Sequence, residues 1–270
     1  MKLHDLFDVT GRSIVVTGGA SGIGLAIART LAENGARVTI ADIDSDALEK
    51  ASPQVGGDVT AERLDVTDRA AVERVFDAID RSRNGIDVVF ANAGIGGGPG
   101  FGEGAGNENP TGTIDGSPDA EWNQVVAVNL TGARNTFAAA ARIMKARGKG
   151  GRIIATTSAA AIVNASFVST AYHASKAGVA HMVRQVASEL APHGILVNAI
   201  APANFLTNIG DGAMQSEAVQ ALFARNSLLR RVAETNEIAG IALFLASPAA
   251  SFVTGTQIRV DGGACVIGPS

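Results

Sequence analysis

The sequence is poor in aromatic side chains, which make up 4% of it, with a single Trp and a single Tyr. Its core must therefore be built from Ala, Val, Ile and Leu. It has one cysteine, Cys265, so no internal disulfide can brace it, and a reducing compartment suits it. No base stands beside Cys265 in the chain, and it reads as an inert thiol rather than a nucleophile. There is no excess of basic charge: 22 Lys and Arg against 26 Asp and Glu leave a net charge of −4. A broad basic face for nucleic acid is excluded. The four His are scattered and no His/Cys cluster has zinc spacing, so no metal is expected.

A membrane-crossing run is missing too. The longest uncharged stretch, Ile153 to Ser175, carries Thr156, Thr157, Ser158, Asn164, Ser166, Ser169, Thr170 and His173, which is too polar for lipid. It reads instead as buried backbone lining a site. The opening MKLHDLFDVTGRS has acidic residues where a signal peptide needs an apolar run. A cytoplasmic location is expected. Glycine is abundant, at 32 of 270 residues, but without the three-residue period of collagen. An apolar fraction of 46% against 18% charged residues describes an ordinary globular chain.

What is present is an alternation. The β-branched run Ile14-Val15-Val16 leads into the Gly-rich Thr17–Gly24, then a helical pattern over Leu25 to Asn34 that Gly35 stops. Val38 to Ala41 forms a second apolar run ending at Asp42. Further strands are expected at Val59–Leu64, Asp87–Phe90, Ile153–Thr156, Leu196–Ile200 and Gln257–Val260. Helices are expected over Asp68–Arg81, Glu121–Arg147, Ala171–Leu190 and Asn236–Leu245. This predicts an α/β fold: a mostly parallel sheet of about seven strands with helices on both faces. No repeat or linker divides the chain, so residues 1–270 read as one domain. Two excursions break the rhythm, a Gly/Pro-rich loop from Gly96 to Ser117 and a segment from Ala203 to Ser227. Both leave carboxyl ends of strands, where open α/β sheets bind ligands.

The Gly-rich turn between strand and helix suits a pyrophosphate. Glycines let the backbone approach it, and the helix N-terminus offers unpaired N–H groups. Asp42, 18 residues after Gly24, is placed to accept the hydroxyls of an adenosine ribose and to repel a 2′-phosphate. No Lys or Arg follows it directly, which favours NAD over NADP. Tyr172 and Lys176 stand at i and i+4 on one helical face. A neighbouring ammonium, with the charge of an oxidised nicotinamide, favours the phenolate and suits the tyrosine to move an alcohol's proton. Ser158 closes the preceding strand and could hold the same oxygen, with Thr157 the adjacent hydroxyl.

On these residues the sequence resembles the short-chain dehydrogenases/reductases, in their compact single-domain branch, over essentially its whole length. Thr17–Gly24 matches T-G-x-x-x-G-x-G, Asp65-Val66 the acidic pair near adenine, and Asn92-Ala93-Gly94 the N-A-G motif. Asn129 matches the family's helix Asn, Ser158 with Tyr172 and Lys176 its catalytic set, and Pro202–Thr207 its cofactor loop, with Ala203 where the family has Gly. The resemblance implies a Rossmann-type doubly wound sheet in three layers.

It also implies residue roles. Tyr172 is the acid/base, Ser158 orients the substrate, and Lys176 also bonds the nicotinamide ribose. Asn129 holds a water that relays protons from Lys176. The NAD contacts are Gly18, Ser21, Gly22, Ile23, Gly24, Asp42, Asp65, Val66, Asn92, Ala93, Gly94, Tyr172, Lys176, Pro202, Phe205 and Thr207, the last two toward the carboxamide. The resemblance further implies a homotetramer acting on a secondary alcohol or its ketone, with no nucleic-acid or membrane partner. Ala159, Ala160, Ile162, Ala203, Asn204, Phe205 and the Asp211–Ser227 cover should line a substrate pocket that is mostly small or apolar. The alternative, a non-catalytic NAD-binding or scaffold protein, would be supported by a broken catalytic set, and this set is whole.

Overall fold

A computed structural model describes residues 2–102, 108–207 and 216–267. Seven strands form one sheet in the order β3-β2-β1-β4-β5-β6-β7. They are β1 (Ser13–Thr17), β2 (Arg37–Asp42), β3 (Asp58–Arg63), β4 (Val88–Ala91), β5 (Gly151–Thr156), β6 (Ile195–Pro202) and β7 (Gln257–Val260). Every pairing is parallel. A parallel sheet needs crossovers, and helices supply them on both faces.

A short α1 (Leu3–Leu6) precedes β1. The crossover helices are α2 (Gly22–Glu33), α3 (Ser45–Val55) and α4 (Arg69–Arg83). Then come α5 (Asp119–Val126), α6 (Ala133–Arg147) and α7 (Thr170–Leu190). After β6 follow α8 (Glu217–Arg225), α9 (Ala239–Ala246) and a terminal α10 (Ala264–Ile267).

Side chains alternate across each strand, so two cores form. Ile14, Val16, Ile40 and Phe90 pack under α2 and α9. Val15, Val89 and Ile153 face the opposite layer with Phe76, Phe137 and Val183 from α4, α6 and α7. The central strands are continuous apolar runs, as expected for burial on both faces. The outermost strand β3 is not: its residues are exposed or half-buried throughout, because one edge and much of its surface meet water.

Helices α1, α8 and α10 were not expected from the sequence, and three further elements differ from its reading. Helix α3 was not expected; Asp44 caps it, its Oδ1 accepting the amides of Asp46 and Ala47 at 3.0 Å each. The helix expected over Glu121–Arg147 is α5 and α6 joined by a π turn at Ala127–Gly132. The helix expected from Asn236 opens with a 3-10 turn, Thr235–Ile238, before α9.

The order of the strands reverses direction between β1 and β4, the switch point at which open sheets leave a crevice. The Gly-rich turn, the N-A-G segment and the ends of β5 and β6 all open there. Among the described residues no helix is long and apolar enough to cross a membrane.

Candidate active site

The Gly-rich turn is built from close approaches. Gly18 and Gly22 take positive φ values of 64° and 52°, which L side chains resist. A Cβ on Gly24 would collide with the Gly18 carbonyl oxygen and with the Asn92 side chain. Asn92 is the tie across the crevice. Its Nδ2 donates to the Gly18 carbonyl at 3.1 Å, and its Oδ1 accepts from the Thr156 hydroxyl at 2.9 Å. Thr17 Oγ1 accepts the amides of Asn92 and Ala93 at 3.2 and 3.3 Å. β1, β4 and β5 thus end in one hydrogen-bonded seam.

Ser21 is the exposed N-cap of α2, with Ile23 one residue inside the helix. Thr207 faces the helix start: a Cβ on Gly22 would lie 3.4 Å from its methyl group. Asp42 reaches from the end of β2 to the turn, its Oδ2 accepting the Ala20 amide at 3.2 Å. Asp65 turns one oxygen back on Thr67, accepting its amide at 2.8 Å and its hydroxyl at 2.7 Å. Val66 is buried beside it, and Asn135 Nδ2 donates to its carbonyl at 3.0 Å. The close glycines, the helix N-terminus and the Asp42 carboxylate fit a dinucleotide laid along the strand ends.

Pro202 ends β6 beside Val260. Phe205 is buried and bridges Ala233 in parallel. That bridge uses the Asn204 carbonyl and the Leu206 amide, each 2.9 Å from its partner on Ala233. Phe205's own amide and carbonyl therefore lie on the opposite edge, while its ring anchors in the core. Residues 208–215 and 103–107, parts of the two expected loops, lie outside the described residues. What is described of the Gly96–Ser117 loop is knit together: Gly102 bridges Glu108, and Pro110–Gly112 forms a 3-10 turn.

The expected catalytic residues converge. Ser158 is half-buried, and its hydroxyl lies near enough to Tyr172 to draw that phenol's pKa down. Its Oγ also accepts the Ala160 amide at 3.1 Å. Thr157 faces away from Tyr172: buried at 2% exposure, its hydroxyl donates to the Ile200 carbonyl and accepts from Gln257, each at 2.9 Å. Of the two neighbouring hydroxyls, Ser158 is the one that meets Tyr172.

Lys176 lies with its ammonium 5.6 Å from the centre of the Tyr172 ring. Its Nζ donates to the Thr156 carbonyl at 3.0 Å. Burial lowers its pKa to about 8. Tyr172 is pushed above the ordinary phenol value by burial, while the hydrogen bond with Ser158 pulls it down. The lowering expected from the Lys176 ammonium and an oxidised nicotinamide is not seen in the protein alone, where the influences on Tyr172 are burial and Ser158.

Asn129 sits in the π turn, fully enclosed at 1% exposure. Its Oδ1 accepts the Ile95 amide at 2.8 Å, and its Nδ2 donates to the Ile95 carbonyl at 3.0 Å and Ser175 Oγ at 3.3 Å. Gly94 separates it from Lys176: a Cβ there would come within 3.1 Å of Asn129 Oδ1 and 3.3 Å of Lys176 Nζ. The sequence reading had not singled out Thr17, Thr156, Ser169 or Ser175, all of which hold the named residues in place. Two of them lie inside the quoted motifs, Thr17 at the head of the Gly-rich turn and Ser175 between Tyr172 and Lys176. Cys265 is pushed up to about 11 by burial and by Asp261, in keeping with an inert thiol.

A family model described as Enoyl-(Acyl carrier protein) reductase matches residues 18–265. The chain is 33% identical to (+)-borneol dehydrogenase 1 of Salvia officinalis over 261 residues, covering 96% of this chain and 95% of that protein. It is 35% identical to galactitol 2-dehydrogenase (L-tagatose-forming) of Cereibacter sphaeroides over 264 residues, covering 97% and 98%. A short-chain type dehydrogenase/reductase from Mycobacterium marinum superposes with a TM-score of 0.88 at 34% identity, covering 97% of this chain and 99% of that one.

Proposed function

The chain belongs to the short-chain dehydrogenase/reductase family, whose oxidoreductases use a nicotinamide cofactor, and on that premise we propose that it oxidises a neutral secondary alcohol to its ketone with NAD, Tyr172 serving as the acid/base. The observation that carries this reading is the single cluster of Ser158, Tyr172 and Lys176 beside the Gly-rich turn. A bound nicotinamide would supply the acceptor for the hydride of the alcohol carbon.

Every other step belongs to this chain. Ser158 and Tyr172 hold the alcohol oxygen between the serine hydroxyl and the phenolic oxygen. Tyr172, as phenolate, receives the proton. Burial opposes that phenolate, and the Ser158 hydrogen bond and the positive charge of the oxidised cofactor favour it. Lys176, fixed by the Thr156 carbonyl, keeps its ammonium beside Tyr172 and would bond the nicotinamide ribose. The Asn129 carboxamide is spent on Ile95 and Ser175.

Asp42 supports NAD as the partner: its carboxylate, held at the turn by Ala20, accepts ribose hydroxyls and repels a 2′-phosphate. Ala159, Ala160, Ile162 and Phe223 give the alcohol side no charge to pair with an anion. Galactitol and borneol, in the printed names of the two relatives, are both uncharged alcohols. A homotetramer in the cytoplasm completes the proposal. Reduced-nicotinamide absorbance with NAD and NADP against a panel of neutral secondary alcohols tests it. Turnover faster with NAD is expected; turnover only with NADP overturns the role of Asp42.

A further inference from the structure

His173 follows Tyr172 directly, yet its ring is committed to the loop that precedes α7. Its Nδ1 lies 3.0 Å from the Ser169 carbonyl oxygen, and its Nε2 accepts the Ala165 amide at 3.2 Å. A carbonyl only accepts and an amide only donates. The ring therefore carries its proton on Nδ1, offers a lone pair on Nε2, and is neutral.

Both ends of Ala165–Ser169 are thus fastened to α7. Ser169 is itself fixed: its hydroxyl caps the helix by accepting the Tyr172 amide at 3.3 Å. Outside it runs the Gly96 loop, where Pro99 bridges Val168 in antiparallel fashion and the Gly102 amide donates to the Ser166 carbonyl at 2.9 Å. Between the fastened ends Phe167 meets Phe223 of α8 edge to face, with ring centres 4.9 Å apart at 84°. The Phe223 carbonyl in turn accepts from Asn204 Nδ2 at 3.1 Å, on the segment leaving β6. A chain of contacts leads from the catalytic helix through His173 and Phe167 to α8 and back to the cofactor loop.

We propose that His173 is a positioning residue for the alcohol, resting on the reading of this chain as an alcohol oxidoreductase. Its imidazole pins Ala165–Ser169 so that Phe167 and Phe223 form a fixed apolar wall along the loop that leads from Ser158 to Tyr172. Such a wall takes a neutral carbocyclic alcohol in preference to a small or open-chain one.

Two variants separate this role from packing. His173→Leu keeps the bulk and loses the acceptor; His173→Gln keeps an acceptor at similar reach. Losing one such bond should raise KM for cyclohexanol roughly tenfold. KM for 2-propanol and Kd for NADH should stay at the wild-type values. Amide exchange in residues 159–169, read by mass spectrometry, should quicken by a similar factor. His173→Gln should lie within about twofold of wild type in both measurements. Wild-type exchange in the Leu variant, or a Gln variant as impaired as Leu, overturns the proposal. So does a rise in KM shared by both alcohols together with weaker NADH binding. Absence of turnover by the wild-type protein with any alcohol counts against the proposed function, and the exchange measurement still decides the role of His173.

Discussion

Tyr172 is set by opposing influences, and each can be removed separately. Burial holds its pKa high and Ser158 lowers it. Alcohol oxidation needs the phenolate, so its rate should climb with pH until Tyr172 is ionised; ketone reduction needs the phenol and should fall over the same range. Ser158→Ala deletes the lowering influence. We expect the oxidation limb to move to higher pH and kcat to drop on the order of 10²-fold. Thr157→Val should leave that limb where it is and destabilise the fold by about 1–3 kcal/mol, since its hydroxyl is buried between Ile200 and Gln257. An unmoved limb in Ser158→Ala would contradict the assignment. At Asp42, replacement by Ala should lower kcat/KM for NAD by roughly tenfold or more and raise it for NADP, because a charged acceptor of ribose hydroxyls is lost. Steady-state kinetics with both cofactors reads this directly. The identities of these side chains were legible in the sequence, since motif order alone names them. The sequence favoured Ser158 with Thr157 as its neighbour, and what separates the two is which way the chain turns after β5 ends at Thr156.

At the scale of elements, caps and turns decide where the chemistry sits. Asp44→Ala removes an N-cap that accepts two amides, and α3 with the β2–β3 crossover should weaken by about 1 kcal/mol in urea denaturation. An unchanged urea midpoint would show that the cap contributes nothing. Helix α3 was missed because Pro53 lies inside it and Gly56 and Gly57 follow closely. The Asp44 cap was the signal that could have found it. The π turn at Ala127–Gly132 was equally hidden: it has the composition of ordinary helix. It is explained by what it must place, the Asn129 side chain against Ile95 and a Gly132 that leaves no room for a Cβ beside Val66. The strands were the clearest of all, because β1, β4 and β5 are buried on both faces and must read as unbroken apolar runs. β3 was the exception that the edge of the sheet imposes.

At the scale of the molecule, one sheet carries the whole account. The reversal between β1 and β4 opens the crevice, and the end of β5 with the first turns of α7 brings the reactive groups to it. A ligand that spans that seam should tighten the fold: NADH at about 100 times its Kd should add about 2.7 kcal/mol to stability. A calorimetric midpoint unmoved by NADH would oppose a cofactor site there. β7 leaves an edge at the end of the sheet, and Leu228, Leu229 and Val266 are exposed, a surface suited to self-association. Sedimentation at micromolar concentration should give a tetramer, and a monomer would refute that part of the proposal. The central claim is tested most directly by comparing wild type with Tyr172→Phe in two measurements, alcohol-dependent reduction of NAD and the Kd for NADH. We predict a fall in turnover of at least about 10²-fold, as expected on removing the acid/base, with NADH affinity unchanged. A variant that keeps wild-type turnover would contradict the account.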